Sequence, residues 1–223
     1  MKIKGRLSAF SIVLMINLLY MLYYYSRDSY ISWIEYLGLP ILLTLAWWFG
    51  KQYDIAKFYS EKDALTGIYN RRCVEAFVSK MESKTKQKKQ DFTLLLLDVN
   101  DFKVINDLFG HKVGDQYIKN IAHQLEKSIR DKDIVARWGG DEFLIISPGV
   151  KRNESLVEML EEIHKNLKSI SPNELEIGVS IGTACYPSEG KSFDELIKIA
   201  DKKMYHIKSL KKQNVYPQKQ TAN

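Results

Sequence analysis

Cysteine is scarce in this 223-residue chain, which has two in all, Cys73 and Cys185. They lie far apart and without metal-ligand spacing. That excludes a disulfide framework, suits a reducing compartment, and leaves both as ordinary small core residues. Also missing is a basic face interleaved with aromatic residues, the footprint of nucleic-acid binders, so no nucleic-acid partner is expected. The net charge is +6, but of the 33 basic and 27 acidic residues only four and two fall in residues 1–50, which leaves the remainder at +4. Much of that excess sits around Lys208, Lys211 and Lys212. The chain has no internal repeat, and its compositionally biased stretches are residues 84–90 and the polar tail, residues 216–223.

Residues 7–25 are almost unbroken apolar sequence, close to the roughly 20 residues that a membrane-spanning helix needs. They are followed by no small-residue cleavage site, which argues against a secretory signal. A second apolar run, residues 37–50, reaches spanning length when extended back to Tyr30, with Glu35 near one end. Trp33, Trp47, Trp48 and the tyrosines at 23–25 fall where an aromatic belt would lie. Lys2, Lys4 and Arg6 before the first run, and Lys51 after the second, put both ends on the cytoplasmic side. The expectation is a multi-pass transmembrane hairpin over residues 1–50, in contact with lipid of the inner (cytoplasmic) membrane. A short linker helix over 51–62 would follow; its stripe of Tyr53, Ala56, Phe58 and Tyr59 can pair with the same stripe of a second subunit.

The remainder reads as a folded domain. Phe92 to Leu97 is a continuous apolar run, hence a buried strand, with Asp98 at its C-terminal end. Tyr117, Ile118, Ile121, Ala122, Leu125 and Ile129 mark an amphipathic helix. Ile134–Ala136 and Phe143–Ile146 form the arms of a hairpin whose tip is Gly139-Gly140-Asp141. Glycine suits such a turn because it takes positive φ without strain. Leu156, Met159, Leu160, Ile163 and Leu167 mark another helix, residues 176–184 a strand, and Phe193, Leu196, Ile197, Ala200, Met204 and Ile207 a last helix. This order predicts an α+β fold with helices packed on one face of a mainly antiparallel sheet.

The hairpin carries the stretch Arg137-Trp138-Gly139-Gly140-Asp141-Glu142-Phe143. Taken alone, Gly-Gly-Asp is most often only a turn, and Asp98 reads equally well as a helix N-cap. Together, a central strand and a neighbouring hairpin can bring Asp98 beside Asp141 and Glu142. Clustered carboxylates repel one another, and divalent cations relieve that repulsion. Two cations held about 3.5–4 Å apart can activate a hydroxyl and stabilise a phosphoryl transition state.

Four motifs in order resemble the GGDEF-domain diguanylate cyclase family over roughly residues 63–215. They are Asp63-Ala64-Leu65-Thr66-Gly67-Ile68-Tyr69-Asn70-Arg71-Arg72, the stretch from Leu97-Asp98-Val99-Asn100 through Phe102-Lys103, Asn106 and Gly110-His111 to Asp115, the hairpin itself, and Ile199 to Lys208. The resemblance implies a homodimer that joins two GTP molecules into cyclic di-GMP, with two Mg²⁺ ions per active site. It implies metal ligation by Asp98, Asp141, Glu142 and the Val99 carbonyl, with Glu142 and Asp141 as the catalytic pair. Asn106 and Asp115 would read guanine, the backbone at Phe102 and Lys103 would meet phosphates, and Lys208 and Lys212 would neutralise the triphosphate. Arg130 and Asp133 match the family's Arg-x-x-Asp product-inhibition pattern. Two departures are visible: Asn100 stands where many relatives carry aspartate, and residues 211–214 replace the usual Gly-Arg-Asn pattern. Two rivals stay open, a catalytically silent cyclic di-GMP receptor acting through Arg130 and Asp133, and a cyclase making an adenine-containing dinucleotide, against which Asp115 argues.

Overall fold

The computed structural model describes residues 3–30, 33–85, 91–151, 154–168 and 178–215. The chain separates into two compact units, Met1–Glu61 and Lys62–Asn223.

The first unit is a pair of antiparallel helices, α1 (Lys4–Asp28) and α2 (Trp33–Glu61). Glycine lets them meet at backbone distance: a Cβ on Gly50 would lie 2.6 Å from the Cα of Arg6, and one on Gly5 would lie 2.5 Å from Asp54 Oδ1. Asp54, buried on α2, accepts the Gly5 N–H at 2.8 Å and the Arg6 N–H at 3.3 Å. It thereby caps the orphan donors of a helix other than its own. Phe10 packs edge-on against Trp47 further along the pair. Among the described residues, α1 is the one helix long and apolar enough to cross a membrane. The expected second span, and with it a multi-pass topology, is not shown among the described residues. The apolar half of α2 runs without a break into a polar half bearing Lys51, Asp54, Lys57 and Glu61. The expected linker helix over residues 51–62 is thus the helical end of α2, which closes at Glu61.

In the second unit the elements run β1 (Tyr69–Asn70), α3 (Arg71–Thr85), β2 (Phe92–Val99), α4 (Phe102–Phe109), α5 (His111–Lys127), β3 (Ile134–Arg137), β4 (Glu142–Pro148), α6 (Glu154–Lys168), β5 (Val179–Tyr186) and α7 (Phe193–Val215). The sheet order is β1-β3-β4-β2-β5, antiparallel except for the short parallel pair β1–β3. Every residue of β2 is buried. This explains a departure from the expected single helical layer: side chains alternate along a strand, so a strand buried throughout needs cover on both faces. Leu95, Leu97 and Val99 pack with α4, α5 and α6, whereas Leu94 and Leu96 pack with α3 and α7. The helix α3 and the two-residue β1 were not foreseen. The former has a largely polar sequence and the latter is too short to show a period.

The two apolar clusters bury large side chains almost completely, Phe143, Leu95, Ile118 and Leu144 among them. At about 1.5–3 kcal/mol for each fully buried large apolar side chain, this core sets the geometry of what it carries. Helix α7 comes unusually near β5, since a Cβ on Gly182 would lie 1.9 Å from the Ala200 carbonyl oxygen. Only glycine permits that approach. It draws the inner stripe of α7, Leu196, Ala200 and Met204, down onto the sheet.

Candidate active site

Asp98 ends the apolar run of β2, and the register places it directly opposite Glu142 on β4 and Ser180 on β5. Directly opposed residues in antiparallel strands share a face and hold their Cβ atoms about 4.5–5.5 Å apart. Asp98 and Glu142 have the parity of Leu96 and Leu144, so both lie on the α3/α7 side. The turn from Trp138 to Asp141 is laid against the end of β2, where the Val99 N–H donates to the Asp141 carbonyl at 3.1 Å. The Trp138 N–H closes the hairpin on the Glu142 carbonyl at 2.8 Å.

The glycines of this turn work differently from the expectation. Positive φ among glycines falls at Gly67, Gly110 and Gly149, not at Gly139 or Gly140. What Gly139 provides is room, because a Cβ there would lie 2.5 Å from Glu142 Oε2, while Gly140 faces open space.

The charges at this end of the sheet are unbalanced. Burial raises the Glu142 carboxyl above its ordinary pKa, and the charges of Asp98, Asp141 and Asp201 raise it further against a counteracting Lys208. Lys208, on α7, donates to Asp98 Oδ1 at 2.5 Å. Among the described residues no group of three or more His, Cys, Asp or Glu side chains stands arranged around a common ion position. The donor set nevertheless suits a hard divalent cation: oxygen ligands only, carboxylates that repel one another, and an ammonium already bound where a cation would sit.

Asn106 and Asp115 flank the junction of α4 and α5, where Gly110 adopts φ +82°. Gly114 makes room for Asn106, whose Oδ1 would lie 1.9 Å from a Cβ at that position. Asp115 is exposed one residue further on. At the N-terminus of α4, Asp101 occupies left-handed space at φ 54° and offers no side-chain cap. The first-turn N–H groups at Phe102 and Lys103 lie in the helix start, where an anion is favoured. Phe102 packs on the core and Lys103 is exposed. Lys212 lies on α7 with its side chain outside the described residues, as is the whole polar tail from residue 216.

Arg130 and Asp133 form a preformed fork. Arg130 Nε donates to Asp133 Oδ2 at 2.9 Å and Nη2 to Oδ1 at 2.6 Å, with the Asp133 side chain wholly buried and that of Arg130 40% exposed. Donating to the Asp133 carboxylate raises the guanidinium pKa above its ordinary value. Arg130 also reaches the Pro148 carbonyl, at the far end of β4 from Glu142. At about 3.3 Å per strand residue, the fork and the carboxylates lie roughly 20 Å apart along that strand.

Three functional contacts were not read from the sequence. Arg137 donates to the Gly140 carbonyl through Nε at 3.2 Å and Nη2 at 2.7 Å, and its Nη1 reaches Asp63 at 3.3 Å. Asp63 also accepts the Thr66 N–H and hydroxyl at 2.9 and 2.7 Å. Burial pushes the Asp63 carboxyl up, but the Thr66 bonds and Arg137 outweigh it and leave the pKa below its ordinary value. The first motif of the domain thus clamps the turn that carries Asp141. Asn100, the departure from aspartate, accepts the Ser180 hydroxyl at 2.8 Å and ties β2 to β5. Lys211, in the divergent tail motif, donates to the Val179 carbonyl at 2.8 Å. A basic residue spaced three or four from Lys208 was the available signal for the last; the pairs Arg137–Asp63 and Asn100–Ser180, 74 and 80 residues apart, leave none.

Comparison with known proteins places residues 60–214 in the family model described as "Diguanylate cyclase, GGDEF domain". A probable diguanylate cyclase, DgcC of Escherichia coli (strain K12), is 34% identical over 152 residues, covering 67% of this chain and 41% of that protein. Diguanylate cyclase DgcM of the same strain is 36% identical over 148 residues, covering 66% and 36%. The chain therefore spans less than half the length of these relatives. Among solved structures, the coiled coil and GGDEF domain of DgcB from Caulobacter crescentus in complex with c-di-GMP matches with a TM-score of 0.68 and 25% identity, covering 78% of this chain and 93% of that one.

Proposed function

Because this chain belongs to the GGDEF diguanylate cyclase domain family, we propose that it condenses two GTP molecules into cyclic di-GMP with release of two pyrophosphates. The observation that carries this reading is the cross-strand placement of Asp98 and Glu142 beside the Asp141 turn. Asp98, Asp141, Glu142 and the Val99 carbonyl would hold two Mg²⁺ ions, which lower the pKa of a bound hydroxyl and neutralise developing phosphoryl charge.

Asn106 and Asp115 orient guanine, the Asp115 carboxylate accepting from N1–H and the exocyclic amine; adenine would leave it unpaired. The helix start at Phe102 and Lys103 takes phosphate, and Lys208 and Lys212 balance the triphosphate. The 3′-oxygen of one nucleotide attacks the α-phosphorus of the other. A P–O bond forms there as the P–O bond to pyrophosphate breaks, and Glu142 accepts the hydroxyl proton. The same step repeated in the opposite sense closes the ring. One site presents one nucleotide, so two domains must face each other as a homodimer. Holding both reactants supplies about 7–11 kcal/mol of the barrier reduction.

The fork of Arg130 and Asp133 is the proposed inhibitory site for the product. An arginine stacks on guanine and grips phosphate there, far from the carboxylates. We propose further that α1 anchors the protein in the inner membrane with α2 beside it and the catalytic unit in the cytoplasm.

Purified full-length protein incubated with GTP and Mg²⁺ should release pyrophosphate and form cyclic di-GMP, with specific activity rising with protein concentration. Binding of cyclic di-GMP without pyrophosphate release would instead mark a silent receptor. Equal turnover of ATP in competition would overturn the guanine assignment.

A further inference from the structure

The stripe by which α7 packs on the sheet steps by four residues: Leu196, Ala200 and Met204 are buried in turn. The next position on that face is Lys208. Its stem follows the apolar stripe while its ammonium continues beyond the edge of the core, as long cationic side chains do. Gly182 brings the helix backbone against β5, and this sets the reach of Lys208 to the end of β2. There it meets Asp98 at 2.5 Å, with the lysine side chain 25% exposed and the aspartate 12%. The pair joins residues 110 apart in sequence.

The ammonium is the positive charge that opposes Asp98, Asp141 and Asp201 at Glu142. It stands where the acids would otherwise repel one another. Asp98 cannot be given over fully to a metal ion while it carries this partner, and Lys208 cannot be given over to a phosphate.

We propose that Lys208 is a placeholder cation. In the metal-free chain it occupies Asp98; metal entry displaces it, and the freed ammonium turns to the substrate's phosphates. The inference rests on the metal assignment made above and deepens it. It makes the ion and the triphosphate bind with positive coupling through one side chain, since each releases the partner that the other needs. Such coupling is reciprocal and typically about 5–150-fold.

The test uses the full-length protein and Mn²⁺ alone as probe, with free Mn²⁺ followed by its electron paramagnetic resonance signal and no nucleotide present. Lys208→Met should bind Mn²⁺ about tenfold more tightly than the parent chain, within the range expected for coupled sites. Lys208→Arg keeps the charge and should bind as weakly as the parent. Asp98→Asn in the Lys208→Met background should abolish the gain, which locates the ion. In the presence of Mn²⁺, Lys208→Met should bind a non-hydrolysable GTP analogue more weakly than the parent.

Equal or weaker Mn²⁺ binding by Lys208→Met overturns the proposal, as does failure of every variant to bind Mn²⁺. If Lys208→Met does not fold, Lys208→Gln replaces it with the same expected result. A parent that releases no pyrophosphate from GTP would refute the cyclase reading while leaving this Mn²⁺ comparison intact. An active parent whose Mn²⁺ affinity is indifferent to residue 208 would sink the placeholder alone.

Discussion

Arg137→Ala tests how the turn bearing Asp141 is held. The guanidinium makes two bonds to the Gly140 carbonyl, at 3.2 and 2.7 Å, and reaches Asp63 at 3.3 Å. Hydrogen bonds from a charged donor contribute about 1.5–3 kcal/mol net. The contact with Asp63 adds about 0.5–1 kcal/mol, because both side chains keep some exposure to solvent, 18% and 22%. Truncation should therefore cost about 2–4 kcal/mol, a fall in Tm of about 5–10 °C for a domain of this size. The Gly140 carbonyl would be freed one residue before Asp141. A displacement of about 1 Å at a reacting group costs about 100-fold, so kcat should fall by that order with KM for GTP changed far less.

Arg137→Lys retains the charge without the fork and should recover only part of both effects. The pH dependence has a definite sign. The Asp63 pKa is depressed in the folded state, so its contribution is present above the ordinary carboxylate value of about 3.9 and is lost as pH falls through the folded value. The stability gap between parent and Arg137→Ala should accordingly narrow below about pH 4. Thermal melts across pH, with GTP turnover at neutral pH, provide the assay. A variant with parental Tm and parental kcat would refute the clamp.

Other outcomes follow from the same geometry. Glu142→Gln should abolish synthesis yet make the metal-free fold more stable at neutral pH: the folded carboxyl titrates above its ordinary value, so the parent loses stability as pH rises through that window and the amide does not. Denaturant titrations at pH 4 and pH 7.5 in chelator check this, and a parent no less stable at the higher pH relative to the variant would contradict it. Arg130→Ala should raise the final product level, and it should also cost about 1–2 kcal/mol because the fully buried Asp133 carboxylate loses its fork while Arg130 itself was partly solvated. Product inhibition that persists unchanged would remove the regulatory role. Asp54→Ala should strip protection from the Gly5 and Arg6 amides in hydrogen exchange, at a cost of about 0.5–2 kcal/mol typical of a lost helix cap; retained protection would show that the cap is not what holds α1 to α2.

Much of this molecule was open to inspection before any fold was known. The run from Phe92 to Leu97 announced a buried strand, and the carboxylate after it was visible as a chemical anomaly. The helical stripes of α5, α6 and α7, the arms of the hairpin and the order of the four motifs are local patterns, and local patterns survive in a linear string. Tertiary structure decided the rest. It put helices on both sides of β2, because a strand buried at every position leaves no face for water. It showed that Gly139 lies against the Glu142 carboxylate and does not adopt a positive φ. It turned Asn100 from a missing charge into a tie to Ser180, and gave Arg137 and Lys208 their acidic partners, 74 and 110 residues away. Pairings at such separations depend on the sheet's strand order and register and on how closely α7 can approach β5. None of these is a property of any one segment.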